Sequence, residues 1–522
     1  MLARVFLCAL LFQAALSAAV VTHSWREGAL DVNLDDGSAR IEWVSPVAFR
    51  VFRRWGADAI DDAQINHDPV LVALEDSGPV LRMITRYLTV EVSKASLSIQ
   101  VRNGTTPVAS IAMGRTNSNI EVRFSPVEHV YGLGGGASST LDLHGNTVEQ
   151  ARGLFYTSSY GVFMPAKQTV VYDLTKGSAL LRNSDQVEFA FYHGGSPKEI
   201  LEQHLTVAGQ TEVTVDSLGL LRTDRVPKEA TKLPDTKIDS WGALADLVRR
   251  LNHWSLSAIL YPAFDVSTID APEPLKQRAL DLAAVLPLIY RSRPESAAPD
   301  RATRDAFKPY LVTYLREAHD RGFPLIHPFA MQFSRDAGSD QQTDVFLLGD
   351  ELLVAPVLAE GSRRQLKLPR GLWTDLRTNQ EYRGNQTVEV DAPPGRVPMF
   401  ARNGSLFPIA AVGKMELHYF PSLGGEFFLW EPDEDDNSQF HAAPAGEFMR
   451  VEAESKLTRN YEWVLHHTKT PREVAEESGT YPRANTLAER RPGTWWHDDE
   501  RDDLHILMRM EAGTDRIVNV SF

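Results

Sequence analysis

The stretch DSWGALADLVRRLNHWSLSAILYPAFD, Asp239 to Asp265, changes period partway along. Its first half sets Leu244, Leu247, Val248 and Leu251 at i, i+3, i+4 and i+7. That is the spacing of one buried helical face, here behind a cap at Asp239 or Ser240. Its second half contains SAILYPAF, a short apolar run that stops on a carboxylate, Asp265, and reads as a buried strand. A helix that feeds directly into a strand is the repeating unit of a parallel sheet. The pattern continues with a helix over about Pro274 to Leu286 and another over about Arg301 to Arg321. Phe307, Tyr310, Leu311, Tyr314 and Leu315 form one face of the second, and Gly322 is placed to end it. FPLIHPF then reads as a further buried strand.

Both flanks of this α/β stretch read differently. From Ala29 to about Val207, runs such as ARIEWV, FRVFRRW, YLTVEVSKASLSIQVRNG and VEFAFYHG alternate apolar and polar residues between turn signals. Such alternation predicts antiparallel strands with one buried face, and many in series predict a β-sandwich. From Asp344 strands return in ELLVAPVL, TVEVDA, VPMFARNG and MELHYF. The predicted fold class is therefore multidomain, β plus α/β. It comprises an N-terminal β-sandwich over 20–210, an α/β region over 211–343, a proximal C-terminal β-sandwich over 344–411 and a distal C-terminal β domain over 412–522.

Length and composition agree with several globular domains: 522 residues, 43% hydrophobic and 24% charged. A net charge of −15 repels phosphate backbones and anionic lipid, which argues against nucleic acid as a partner. The N-terminal MLARVFLCALLFQAALSAAV has Arg4, an apolar segment from Val5 to about Leu16, and small residues at Ser17, Ala18 and Ala19. It reads as a secretory signal peptide over 1–19, which predicts a secreted or periplasmic protein with no membrane attachment after cleavage. Its apolar run is shorter than the roughly 20 residues a span needs. Cys8, the single cysteine, lies inside it, so the mature chain is expected to carry no thiol. HExxH, Gly-rich phosphate-loop and CxxC patterns are absent from the sequence. The acidic runs EPDEDDNSQF and HDDERDDLH lack the spaced ligands and central glycine of a calcium loop. No metal or cofactor is expected.

Several stretches, taken together, resemble glycoside hydrolase family 31, the α-glucosidases, α-xylosidases and relatives. VEHVYGLGGG, SSYGVFMP and YHGGSPKEILEQHLTVAGQ are similar to the family's N-terminal motifs. LREAHDRGFPLIHPFAMQF, LLGDELLVAPVL, LPRGLWTDL and VPMFARNGSLFPI follow in the family's order and spacing. The resemblance implies a galactose-mutarotase-like N-terminal sandwich, an eight-stranded (β/α) barrel, two C-terminal sandwiches, and an α-linked oligosaccharide or glycoside as partner. A complete barrel takes about 250 residues, whereas about 130 separate Gln210 from Asp344. The expectation is thus a partial (β/α) barrel remnant. In it PDTKIDSWGAL resembles the acid/base region, SLSAILYPAFDVSTID the seventh strand and PLIHPF the eighth, with VDSLGLLRTDR left from an earlier strand.

Retaining hydrolysis needs two carboxyls about 5–5.5 Å apart, one attacking the anomeric carbon and one protonating the leaving oxygen. The family's nucleophile, an aspartate followed by Asn-Glu or Gly-Glu, has no counterpart; Asp216 and Asp224 are the nearest aspartates and lack that pattern. Asp235 stands where the resemblance places the general acid. Its spacing to Trp241 is one residue longer than usual, and Leu-Pro precedes it, so a solvated loop aspartate is the rival reading. Asp265 stands at the family's sugar-contacting strand end, although Val-Ser-Thr-Ile follows it. Arg291, Ser292 and Arg293 replace an Arg-x-His, and arginine is the larger and permanently charged group. Tyr261 and Phe264, with Trp241 and Phe329, either wall a sugar site or pack in the core. The functional expectation is a protein that acts on or binds α-linked glucosides or xylosides, with catalysis impaired or lost. The alternatives are a non-catalytic carbohydrate-binding or structural protein and a truncated product of an active α-glycosidase. An incomplete sheet would also leave an edge beside SAILYPAF or PLIHPF. A second copy, in a homo-oligomer, or an intrachain cover such as the Thr211–Lys232 segment would have to protect it.

Overall fold

The computed structural model describes residues 19–26, 28–56, 60, 70–113, 118–123, 128–135, 139–150, 153–165, 169–175, 178–183, 186–209, 221–222, 230–233, 237–334, 336 and 338–522. Packing divides the chain into two units. One takes residues up to Gln210 with Leu256–Ala258 and Arg321–Phe323; the other takes Thr211–Ser255, Ile259–Asp320 and Pro324–Phe522. Among the described residues no helix is long and apolar enough to cross a membrane. The signal-peptide expectation falls on residues 1–19, nearly all outside the described ones.

The first unit holds an eight-stranded and a nine-stranded sheet, with antiparallel neighbours throughout. Alternation drives both. Ala39, Ile41 and Trp43 point inward from Gly37–Ser45, and Val90 and Val92 from Thr89–Ser93. These side chains share one buried cluster. YLTVEVSKASLSIQV folds as a hairpin in which Thr89–Ser93 pairs antiparallel with Ile99–Asn103. The helix Pro197–Ala208 closes the unit's main run, with Ser196 accepting the amide of Glu199 as its cap.

The second unit begins with a four-stranded parallel sheet in the order Leu221–Arg222, Leu288–Tyr290, Pro262–Asp265, Thr231–Lys232. Helix Trp241–Ser255 connects the last two of these, and helix Leu275–Ala283 leads on to Leu288–Tyr290. Ser240 rather than Asp239 caps the first helix, its Oγ accepting the amide of Ala243 at 3.2 Å. Leu244, Leu247, Val248 and Leu251 are buried on the expected face. The strand is shorter than the SAILYPAF run: only Pro262–Asp265 enters the ladder. Helix Arg301–Arg321 follows, and Gly322, at φ +73°, adopts the left-handed turn that stops it.

Two expectations are corrected. The strand read from PLIHPF, Ile326–His327, pairs antiparallel with Phe346–Leu348 and joins the sheet that runs on through Leu352–Val354, Met399–Arg402, Leu372–Asp375 and Glu381–Arg383. The Gly349 amide donates to Leu325 O at 2.8 Å and holds that pairing closed. The boundary at 411/412 also moves, because Leu406–Ala411 forms a hairpin with Lys414–Tyr419, so the distal sheet starts before 412. The edge anticipated beside SAILYPAF is covered within the chain. Thr231–Lys232 and Leu288–Tyr290 flank Pro262–Asp265, and Ile326–His327 has its own partner.

The C-terminal sheets are antiparallel except where Lys414–Tyr419 runs parallel to Arg459–Leu465. Arg363–Leu368 and Gln386–Asp391 form a separate ribbon, whose Leu366, Leu368, Val388 and Val390 pack in one cluster with Trp373 and Phe400. Farther on, a five-stranded and a six-stranded sheet contribute Leu417, Trp463, Val451 and Val518 to the unit's largest core, which also contains the helical face Tyr310, Leu311, Tyr314 and Leu315.

Candidate functional site

Asp265 ends its strand beside Tyr290, the last residue of the neighbouring strand. Its Oδ1 accepts the amides of Ser267 at 2.9 Å and Ser292 at 3.1 Å. The first bond caps the short turn Val266–Thr268; the second reaches the loop leaving the adjacent strand. Ser267 tightens the same junction, its Oγ receiving the Arg293 amide at 2.9 Å while the Arg293 guanidinium bonds Ser267 O. Arg291 turns its Nη1 to Ser296 O at 3.2 Å, within its own loop. Lys237 pairs with Asp270 at 3.0 Å on the approach to the same end. The carboxylate end of the parallel strands is therefore a half-buried, polar junction built largely on backbone amides.

The other sequence-derived positions separate from it. Tyr261 is buried, and its hydroxyl donates to Leu315 O at 3.3 Å; burial raises its pKa. Phe264 lies in the same core, and Phe329 in the cluster around Trp373. Trp241 is half-buried against the core. These rings pack among apolar neighbours. Asp235, with Asp216 and Asp224, lies outside the described residues.

Sequence reasoning missed a second polar assembly. In Lys414–Tyr419 the strand alternation puts Met415, Leu417 and Tyr419 inward and leaves Glu416 and His418 together on the opposite face. His418 Nε2 contacts Glu416 Oε2 at 3.3 Å, His418 Nδ1 meets His466 Nε2 at 3.0 Å, and His466 Nδ1 meets Asp503 Oδ1 at 2.9 Å. Arg501 and Asn379 complete the shell of Asp503, at 3.1 Å each. Burial opposes charge on Glu416, yet His418 and then Lys414 hold its pKa at about 2. Burial likewise opposes the charge of Asp503, and His466 and Arg501 hold it at about 2. His466 is pushed down to about 4, chiefly by burial.

Glu416, His418, His466 and Asp503 thus form one continuous run of side-chain contacts. The only sequence signal for this was the i, i+2 spacing in MELHYF; nothing local announced that LHH, about fifty residues on, would lie beside it.

Glu416, His418 and His466 line a cavity of ≈790 Å³, bounded by the end of helix Leu275–Ala283, the start of helix Arg301–Arg321 and the loops around 375–379 and 391–399. Its walls include neither Asp265 nor Arg291.

Comparison with known proteins places this geometry. Residues 322–407 match the model of the glycosyl hydrolase family 31 C-terminal domain. A probable glucan 1,3-α-glucosidase of Arabidopsis thaliana is 34% identical over 108 residues, 20% of this chain and 12% of that protein. Alpha-glucosidase 2 of Bacillus thermoamyloliquefaciens is 26% identical over 163 residues, 29% of this chain and 20% of that protein. The chain thus matches a fifth or less of the length of either relative. A solved Flavobacterium johnsoniae family 31 dextranase, complexed with isomaltotriose, superposes with a TM-score of 0.81 at 13% identity, over 97% of this chain and 100% of that one. Fold and matches define a mostly β, multidomain chain similar in fold to family 31 enzymes. Within that frame, residues 322–407 carry the match to the glycosyl hydrolase family 31 C-terminal domain, and the curated relatives and solved structures that the chain resembles include members of that family.

Proposed function

We propose that this protein is an exported, carbohydrate-recognising family 31 member that binds α-linked glucosides or xylosides at the carboxylate end of its parallel strands, with hydrolysis impaired or lost. The observation that carries the reading is the engagement of Asp265. Its Oδ1 holds the amides of Ser267 and Ser292, so the carboxylate serves the strand-end loops while remaining half-buried at the surface. The short parallel sheet, read as a barrel remnant, supports the same view. Without a nucleophile double displacement has no first step, and general-acid help alone is typically worth only about 10²–10⁴-fold. Hydroxyl hydrogen bonds to Asp265 and Arg291 survive that loss.

The test is a pair of measurements on the purified chain: nitrophenol release from aryl α-glucoside and α-xyloside, and calorimetric titration with maltose, isomaltotriose and xylose-bearing oligosaccharides. Binding without turnover, weakened by Asp265→Ala, is expected. Robust turnover abolished by Asp235→Asn or Asp265→Asn would overturn the reading and establish a working catalytic pair.

A further inference from the structure

The ≈790 Å³ cavity lies in the second unit, apart from the Asp265 junction, and its size is in the range of small-ligand sites. Its wall chemistry is mixed. Five carboxylates, those of Asp281, Asp300, Asp375, Asp391 and Glu416, share it with the guanidiniums of Arg377, Arg396 and Arg501. Between them lie apolar panels from Phe307, Leu376, Val397, Met399 and Ile409. The Glu416–His418–His466 chain forms part of its wall, backed by Phe407, whose ring stacks on His418 at 5.7 Å and 13°.

Each ligand class can be weighed against that wall. An anion meets five carboxylates against three guanidiniums, so it gains no net attraction. A cation would have to displace donors already in place. Asp281 holds Gln277 Nε2 at 2.7 Å and the Gly395 amide at 3.0 Å. Asp300 holds the Thr303 amide at 2.9 Å, Asp375 the Arg377 amide at 2.8 Å, and Glu416 the Lys414 ammonium at 3.0 Å. A wholly apolar ligand would strip water from the charged rim without replacing its hydrogen bonds. What fits is a neutral molecule whose hydroxyls both donate and accept, and whose C–H faces lie on the apolar panels.

We propose that this cavity is a second binding site, for a neutral polyhydroxylated ligand of the short-saccharide class, separate from the Asp265 junction. Arg377 and Asp391 stand at its rim, linked by a bond from Arg377 Nη2 to Asp391 O at 3.0 Å, and both side chains are exposed to an incoming ligand. Ala306, half-buried on helix Arg301–Arg321, faces the same space and offers a position from which to fill it.

The test titrates the full chain with maltotriose and isomaltotriose in wild type, Asp265→Ala, Ala306→Trp and Arg377→Ala, each checked for unchanged near-UV circular dichroism. The expected result is a binding event that persists in Asp265→Ala and weakens about tenfold or more in Ala306→Trp and Arg377→Ala, the loss expected for a hydrogen bond to a charged group. Arg377→Ala alone decides the matter should Ala306→Trp fail to fold. Binding lost in Asp265→Ala and kept in both cavity variants overturns the second site and leaves the strand-end reading standing. Binding whose affinity and stoichiometry match wild type in all three variants overturns both. Wild type that binds neither saccharide at millimolar concentration, or binds only a phosphorylated sugar, also overturns it.

Discussion

Asp265 Oδ1 accepts the amide of Ser292 at 3.1 Å and so ties the end of one parallel strand to the loop leaving its neighbour. The same oxygen caps the turn at Ser267. Asp265→Ala removes the acceptor for both amides and is expected to cost about 1–2 kcal/mol of stability. Asp265→Asn keeps a carbonyl oxygen in place and should recover more than half of that. Urea unfolding of the three proteins checks the order; equal midpoints for Ala and wild type would remove the structural role.

A buried cation makes a sharper case. Arg304 is 4% exposed and donates to Ala283 O at 3.1 Å, Leu286 O at 2.7 Å and Pro287 O at 3.2 Å, around the C-terminal end of helix Leu275–Ala283. Its positive charge also suits the negative end of that helix. Burial pulls its pKa down to about 10, which leaves it charged at neutral pH. Arg304→Met would strand several buried carbonyls and should cost about 3 kcal/mol or more. Arg304→Lys retains the charge without the planar fork and should fall between. Thermal unfolding that treats the two substitutions alike would contradict this account.

The helical faces were legible because burial on a helix follows a local period. Leu244, Leu247, Val248 and Leu251, and the face from Tyr310 to Leu315, announce themselves by spacing alone. Strand partners are set by contacts distant in sequence, and for that reason the partner of Ile326–His327 differs from the one its run suggests. Its apolar run fits a parallel or an antiparallel neighbour equally well. Tyr261 and Phe264 illustrate a related limit, since an aromatic before a strand-end carboxylate has the same sequence whether it faces ligand or core. The histidine pair His418–His466 joins residues nearly fifty positions apart, and no local pattern encodes it.

Glu351 links helix and hairpin through two short bonds, from Tyr310 Oη at 2.7 Å and Tyr314 Oη at 2.6 Å. Gly349 allows this approach, since at φ +63° a Cβ there would lie 2.1 Å from the Tyr310 hydroxyl. Burial, and then the nearby Asp350, raise the Glu351 pKa to about 7 against the pull of the two hydroxyls. A carboxyl raised above its unfolded value favours the fold while protonated. Its contribution is full below the ordinary value of about 4.5 and is lost as pH rises through about 7. Wild type should therefore lose roughly 1–3 kcal/mol relative to Glu351→Gln between pH 5 and pH 8.5. Melting curves across that range test it, and a constant difference between the two proteins would refute it.

The acidic side behaves in the opposite sense. His466 and His505 are both held near 4, chiefly by burial, so the fold prefers them neutral. Each contributes stability above its unfolded value of about 6.5, lost as pH falls toward about 4. Glu416 and Asp503, both near 2, extend the loss below pH 4.5, because they must be protonated as the fold opens. His466 also meets Asp503 at 2.9 Å and His418 at 3.0 Å, so His466→Asn cannot satisfy both partners at that spacing. That variant should be destabilised by about 2 kcal/mol at pH 7 and by less at pH 4.5, where wild type already carries the cost of a charged, buried imidazole. Guanidinium unfolding of both proteins at the two pH values measures the difference. A gap that widens toward pH 4.5 would show that His466 is charged in the native state and would refute its lowered pKa.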